Sequence, residues 1–187
     1  MSQSLYIFDF DDTLVDSGAR VIVKRKSGKK DFYTSKEYRD YERLYKLPGD
    51  KLNFSEFDVY PPGASVIKSI WSKFTSALKT VGPERVMILT ARENPVPVKK
   101  FLSDMGVNPL PIIEAVGDSN PAAKKRKVLE YVKRLNITEI YLWEDSPNNI
   151  TSIETLESDS LSITSTLVSE GLLRKLIQKI LRESLLS

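Results

Sequence analysis

The stretch SLYIFDFDDTLVDSG, residues 4–18, decides how the chain reads. Four apolar residues, Leu5-Tyr6-Ile7-Phe8, run straight into Asp9, Asp11 and Asp12. Such a run reads as a strand buried on both faces. Carboxylates crowded at its end repel one another and lose hydration, so they call for a positive partner. The pattern recurs twice: Val86-Met87-Ile88-Leu89 leads into Thr90-Ala91-Arg92, and Ile140-Tyr141-Leu142-Trp143 into Glu144-Asp145-Ser146-Pro147-Asn148-Asn149.

Helical periodicity fills the gaps between these strands. Val66, Ile67, Ile70, Trp71, Phe74 and Leu78 predict a helix that stops at Gly82-Pro83. A second helix follows Pro95 and ends at Gly106, with Val98, Phe101, Leu102 and Met105 inward. A basic amphipathic helix spans 121–135, and a short one covers roughly 148–157. Further strands fall at Ile112-Ile113 and within 160–168. The alternation predicts an α/β fold: a doubly wound, mostly parallel, Rossmann-like sheet with helices on both faces. Such sheets bind ligands at the carboxyl ends of their strands, where the acids, Thr90 and basic residues would gather.

Two absences narrow the chemistry. The 187 residues include no Cys and no His. That removes disulfides, thiol nucleophiles, imidazole bases and the usual zinc sites. Acid–base work falls to carboxylates, Lys or Tyr, and a bound metal should be a hard, oxygen-liking ion such as Mg²⁺. The net charge of +3 is too small by itself to imply nucleic-acid binding. No apolar stretch approaches the ~20 residues of a membrane span, and no signal peptide is visible. The expectation is a cytoplasmic protein without a membrane partner.

With these residues in view, the chain resembles the haloacid dehalogenase (HAD) superfamily of phosphatases. Asp9-x-Asp11-x-Thr13 resembles its first motif, Thr90 its second, a Lys within 124–127 its third and Glu144-Asp145 its fourth. The resemblance covers residues 5 to about 150. It implies that Asp9 is the nucleophile, forming an aspartyl-phosphate. Mg²⁺ would be held by Asp9, Asp145 and the main-chain carbonyl of Asp11. The Asp11 side chain would act as general acid and then base. Thr90 and the backbone around Ala91 would hold the phosphoryl group, and the Lys would neutralise Asp9 and the phosphate. Lys125 is favoured because it shares a face with Val128, Leu129 and Val132; Lys124, in line with Val128 and Tyr131, is nearly as good. Thr13, Glu144 and Asn149 would support the site from behind. Asp12 stands where many relatives carry Gly.

Thr13 and Thr90 lie 77 positions apart. A crossover helix and its loops need about half of that. The excess, about 18–60, reads as a small cap insertion, with a hairpin of 20–25 against 31–34 turning at Gly28. Residues 18–46 hold ten Lys or Arg against four acids, with Tyr33, Tyr38, Tyr41 and Tyr45 interleaved. Basic groups with aromatics suit phosphates and stacked bases, which makes Lys24 and Arg25 candidate substrate contacts; Arg92 could clamp a phosphate. Nucleotides or phosphorylated nucleic-acid ends are therefore the expected substrates. A loose similarity to polynucleotide 3′-phosphatase domains and small phage-encoded HAD phosphatases points the same way. The alternatives are a nucleic-acid-binding or assembly protein on this fold with little turnover, and a phosphatase for small metabolites. The expected catalytic domain is 1–168. A C-terminal amphipathic helix, 169–187, follows, and packs on its own sheet or serves self-association or partner docking.

Overall fold

The computed structural model describes residues 3–35, 37, 38, 41, 47–60 and 63–168. Its centre is a five-stranded parallel sheet. In chain order these strands are β1 (Ser4–Phe8), β7 (Val86–Thr90), β8 (Ile112–Ala115), β9 (Glu139–Glu144) and β10 (Ser162–Leu167). Their order across the sheet is β10-β9-β1-β7-β8, which puts β1 in the middle. Phe8 pairs with Trp143 on one side and Ile88 on the other, so the ends of β1, β7 and β9 are level.

Side chains alternate across a strand, and each face of the sheet has its own helices. Leu5, Ile7, Met87, Leu89, Ile140 and Leu142 pack with Val128 and Tyr131 of α3 (Pro121–Leu135) and Ile153 of α4 (Pro147–Glu154). On the other face Phe8, Val86 and Ile88 meet Ile70 and Phe74 of α1 (Lys68–Val81) and Phe101 and Leu102 of α2 (Val96–Asp104). Each fully buried Leu, Ile or Phe contributes roughly 1.5–3 kcal/mol. A core of this kind can offset a buried ionic cluster, whose desolvation costs several kcal/mol per ion.

Between β1 and α1 the chain forms β2 (Val15–Asp16) and β6 (Ser65–Val66), a separate pair that runs antiparallel and closes the neck of an insertion. Periodicity assigned Val66 and Ile67 to the α1 helix. Instead Val66 pairs with Val15, and Ile67 N donates to the Leu14 carbonyl at 3.0 Å. The neck takes these β-branched residues before the helix can start.

Inside the insertion β3 (Arg20–Lys24) lies between β4 (Lys30–Thr34) and β5 (Lys51–Asn53), all antiparallel. The β3–β4 hairpin turns where expected, with Gly28 at φ 88°. The third strand, β5, was not foreseen, because three residues give too short a pattern to read. Val21, Val23, Tyr38 and Tyr41 form a separate small core beneath this sheet, with Tyr33, Leu52 and Phe57 packed on it. Among the described residues no helix is long and apolar enough to cross a membrane. The expected C-terminal helix lies outside the described residues.

Candidate active site

Three strand ends share one edge of the sheet. Asp9 follows β1, Thr90 closes β7 and Glu144 closes β9. Asp9 is nearly buried and tied to β9 by its N–H, which donates to the Trp143 carbonyl at 2.9 Å. The next turn bends through Asp12 at φ 59°. This left-handed region is tolerated by Asp and easy for Gly, a local reason for either residue there.

Lys124 reaches this edge from α3. Its Nζ donates to Asp9 Oδ1 at 2.7 Å and to Glu144 Oε2 at 2.8 Å. The preference for Lys125 is therefore corrected. The buried stripe of α3 is Ala123, Lys124, Val128 and Tyr131; Lys125, about 100° further round the helix, is half-buried and outside that stripe. The Asn120 side chain accepts from Ala122 N at 3.0 Å and caps the helix, placing Lys124 just inside it.

The electrostatics are lopsided. Burial and then Glu144 push the Asp9 carboxyl well above the usual range; Lys124 opposes this and Asp145 adds to it. Burial pulls the Lys124 ammonium down, but Asp9 and Glu144 outweigh it and hold Lys124 above its ordinary value. Burial first, then Glu144, accounts for Asp9, and the two carboxylates bonded to Lys124 account for the ammonium. Asp9, Glu144 and Asp145 each offer an oxygen within 4.8 Å of the others. Such all-oxygen, anionic donors fit a hard divalent cation. Glu144 also accepts from Ser146 N at 3.2 Å, which fixes its orientation.

Asp11 sits in a second arrangement beside the first. Arg92 grips it with two parallel bonds, Nε to Oδ2 at 2.8 Å and Nη2 to Oδ1 at 2.7 Å. The third guanidinium nitrogen, Nη1, donates to the Phe57 carbonyl at 2.5 Å. Arg92 was expected to clamp a substrate phosphate, and the structure gives it a different job. Its planar fork matches the Asp11 carboxylate, and every nitrogen is engaged. Ser17 Oγ donates to Asp11 Oδ1 at 2.5 Å. Neither Ser17 nor Phe57 was foreseen. Ser17 lies six residues beyond Asp11, and Phe57 lies 35 residues before Arg92; nothing in their local sequence signals the contact.

The other expected residues fall as follows. Thr90 is buried, and its Oγ1 accepts from Arg92 N at 3.2 Å, so it shapes the loop through Ala91. Thr13 is fully buried, and its hydroxyl has no hydrogen-bond partner among the described residues. Asn149 lies half-buried in the first turn of α4. Arg25 requires correction as a substrate contact. Its guanidinium donates to Asp31 at 2.7 Å, Asp50 at 2.9 Å, Tyr33 at 2.9 Å and Tyr41 at 3.2 Å. It is the knot of the insertion. Lys24 is exposed at the end of β3.

The chain matches no family model, no curated protein and no solved structure.

Proposed function

We propose that the protein is a Mg²⁺-dependent phosphomonoester hydrolase that works through an aspartyl-phosphate on Asp9, as a HAD-type phosphatase would. The observation that carries this reading is the buried Lys124, bonded to both Asp9 and Glu144 at the edge where Asp145 adds a further carboxylate. Among the described residues one ammonium there meets two buried carboxylates, Asp9 and Glu144, a net negative charge that a divalent cation would neutralise.

Asp9, Asp145 and the main chain at Asp11 would hold the cation, with Glu144 beside them. When bound, the ion would screen the negative charge that otherwise keeps a carboxylate from a phosphate. Asp9 attacks phosphorus as the ester oxygen leaves. Lys124 favours the ionised form of Asp9 and would neutralise charge on the phosphoryl group. To protonate the leaving oxygen, Asp11 must first take up a proton and give up one of its bonds from Arg92; returned to the carboxylate, it then accepts a proton from the water that cleaves the acyl-phosphate. Arg92, Ser17 and the Phe57 carbonyl hold Asp11 in one orientation, which makes Arg92 a positioning residue here. Thr90 and the backbone N–H of Ala91 would hold the transferred group.

The direct test is hydrolysis of p-nitrophenyl phosphate. Activity should require Mg²⁺, disappear with EDTA and return when Mg²⁺ is restored. Full activity in EDTA would refute the metal dependence. Absence of turnover with Mg²⁺ on any phosphomonoester, nucleotide or sugar phosphate would refute the function.

A further inference from the structure

The insertion carries a second charged feature, separate from the carboxylate cluster. Strand register puts Lys30, Lys24 and Lys51 side by side across β4, β3 and β5. Residues directly opposite in a sheet point the same way, and like charges there are destabilising. All three lysines are exposed, on the face opposite the buried Val21 and Val23. The nearby acids are already committed. Asp31 pairs with Arg25 and Lys29, Asp50 with Arg25, and Glu56 with Arg20. Among the described residues, the lysine row has no acidic partner.

The next row on this face is Phe32 beside Ile22. Phe32 is 48% exposed, unusually open for a phenyl ring, and the Arg20 guanidinium lies over it at 4.8 Å. Three uncompensated cations next to an open aromatic ring suit a chain that alternates phosphates with flat bases. An acidic peptide would satisfy the lysines but has no base to stack on Phe32. The direction of the face is also informative. From Lys24 to Arg20 is about 13 Å along β3. Arg20 is bonded to Glu56, and the adjoining Phe57 carbonyl holds Arg92, which grips Asp11.

We propose that the outer face of β3, β4 and β5 binds single-stranded nucleic acid, with phosphates on Lys24, Lys30 and Lys51 and a base on Phe32. Resting on the phosphatase reading, this makes the substrate class a phosphorylated end of a nucleic-acid strand, gripped at the lysine row. The binding itself does not depend on that reading.

The test is fluorescence anisotropy with a labelled oligo-dT, alongside turnover of p-nitrophenyl phosphate. Wild type should bind, with affinity falling as salt rises. The triple variant Lys24→Ala, Lys30→Ala, Lys51→Ala should bind at least about 10-fold more weakly. Its log–log salt slope should shrink by about 2, from three lost phosphate contacts at ~0.7 each. Phe32→Ala should weaken binding by about 5- to 150-fold at little change in that slope. Melting temperature should hold or rise in the triple variant, because its cross-strand repulsion is relieved, and p-nitrophenyl phosphate turnover should be unchanged. Wild-type binding in the triple variant, no wild-type binding, or equal competition by polyglutamate or phosphatidylserine vesicles would each overturn the proposal. Lysine-dependent binding without any turnover would leave the face intact and remove the phosphatase reading. Turnover without lysine-dependent binding would do the reverse.

Discussion

The molecule contains two ionic knots built from similar parts and balanced differently. At the sheet edge Lys124 joins Asp9 and Glu144, with Asp145 close by. In the insertion Arg25 joins Asp31 and Asp50, and Lys29 adds a second cation on Asp31. The Arg25 knot is closed: two cations meet two carboxylates, and two tyrosine hydroxyls take up the remaining donors. The Lys124 knot is open among the described residues: one ammonium meets the two buried carboxylates of Asp9 and Glu144. A closed knot holds a fold together. An open one, buried, stores a demand for positive charge, and that demand is what a metal-dependent phosphoryl-transfer site needs.

The largest expected effect comes from the open knot. Asp9→Asn should lower kcat on p-nitrophenyl phosphate by about 10³-fold or more, the order seen when a covalent nucleophile is removed. The same variant should raise the melting temperature of the metal-free protein, because a buried carboxylate under repulsion is gone. Lost activity with a lowered melting temperature would mean that Asp9 holds the fold together, as the closed knot does.

Lys124 comes next. Lys124→Met strands Asp9 and Glu144 in a buried position, and breaking such a pair costs about 3–5 kcal/mol. Denaturant unfolding should show it, and Lys125→Met should leave stability within about 0.5 kcal/mol of wild type. Equal effects at the two positions would remove the distinction between them.

That distinction also marks how far the sequence could be read. The apolar runs at 5–8, 86–89 and 140–143 are visible because parallel strands buried on both faces leave no polar residues to interrupt them. The acids after them are visible for the same reason, as breaks in an otherwise apolar pattern. The choice between Lys124 and Lys125 was not legible: both keep one apolar neighbour four residues on, and only docking on the sheet fixes the rotation of α3. The roles of Arg25 and Arg92 are equally hidden. Composition marks them as cations, but their partners at positions 50, 57 and 11 are brought in by tertiary contact. The neck strand at Ser65–Val66 was hidden within the helical spacing that follows it.

The two knots should respond to pH with opposite signs. Asp9 titrates above its ordinary 3.8 in the folded protein, through burial, Glu144 and Asp145. Its contribution to stability is complete below 3.8 and is lost as pH rises through the folded value. Asp31, held down first by Arg25, and Asp50, held down first by Tyr41, titrate below theirs. Their contribution is present above 3.8 and is lost as pH falls through the folded values. In metal-free protein, raising pH above about 4 should weaken the sheet edge, and acid should weaken the insertion. At pH 7 Mg²⁺ at 100 times its Kd should restore about 2.7 kcal/mol. An unchanged melting temperature with saturating Mg²⁺ would contradict the open knot.

The smallest effect belongs to the closed knot. Arg25→Ala should speed proteolytic cleavage within 18–60 while leaving Mg²⁺ binding and the main sheet intact. Loss of Mg²⁺ binding in that variant would show that the two knots act as one.

The central claim is that the surplus charge at Asp9 serves phosphoryl transfer, and the most direct test is to trap the intermediate. Protein turning over p-nitrophenyl phosphate with Mg²⁺ is quenched in acid, digested and mapped by mass spectrometry. One phosphoryl group is expected, on the Asp9 carboxylate, absent when EDTA is present and absent in Asp9→Asn. Steady turnover with no phosphoryl group on the Asp9 peptide, or with the group on another residue, would contradict it.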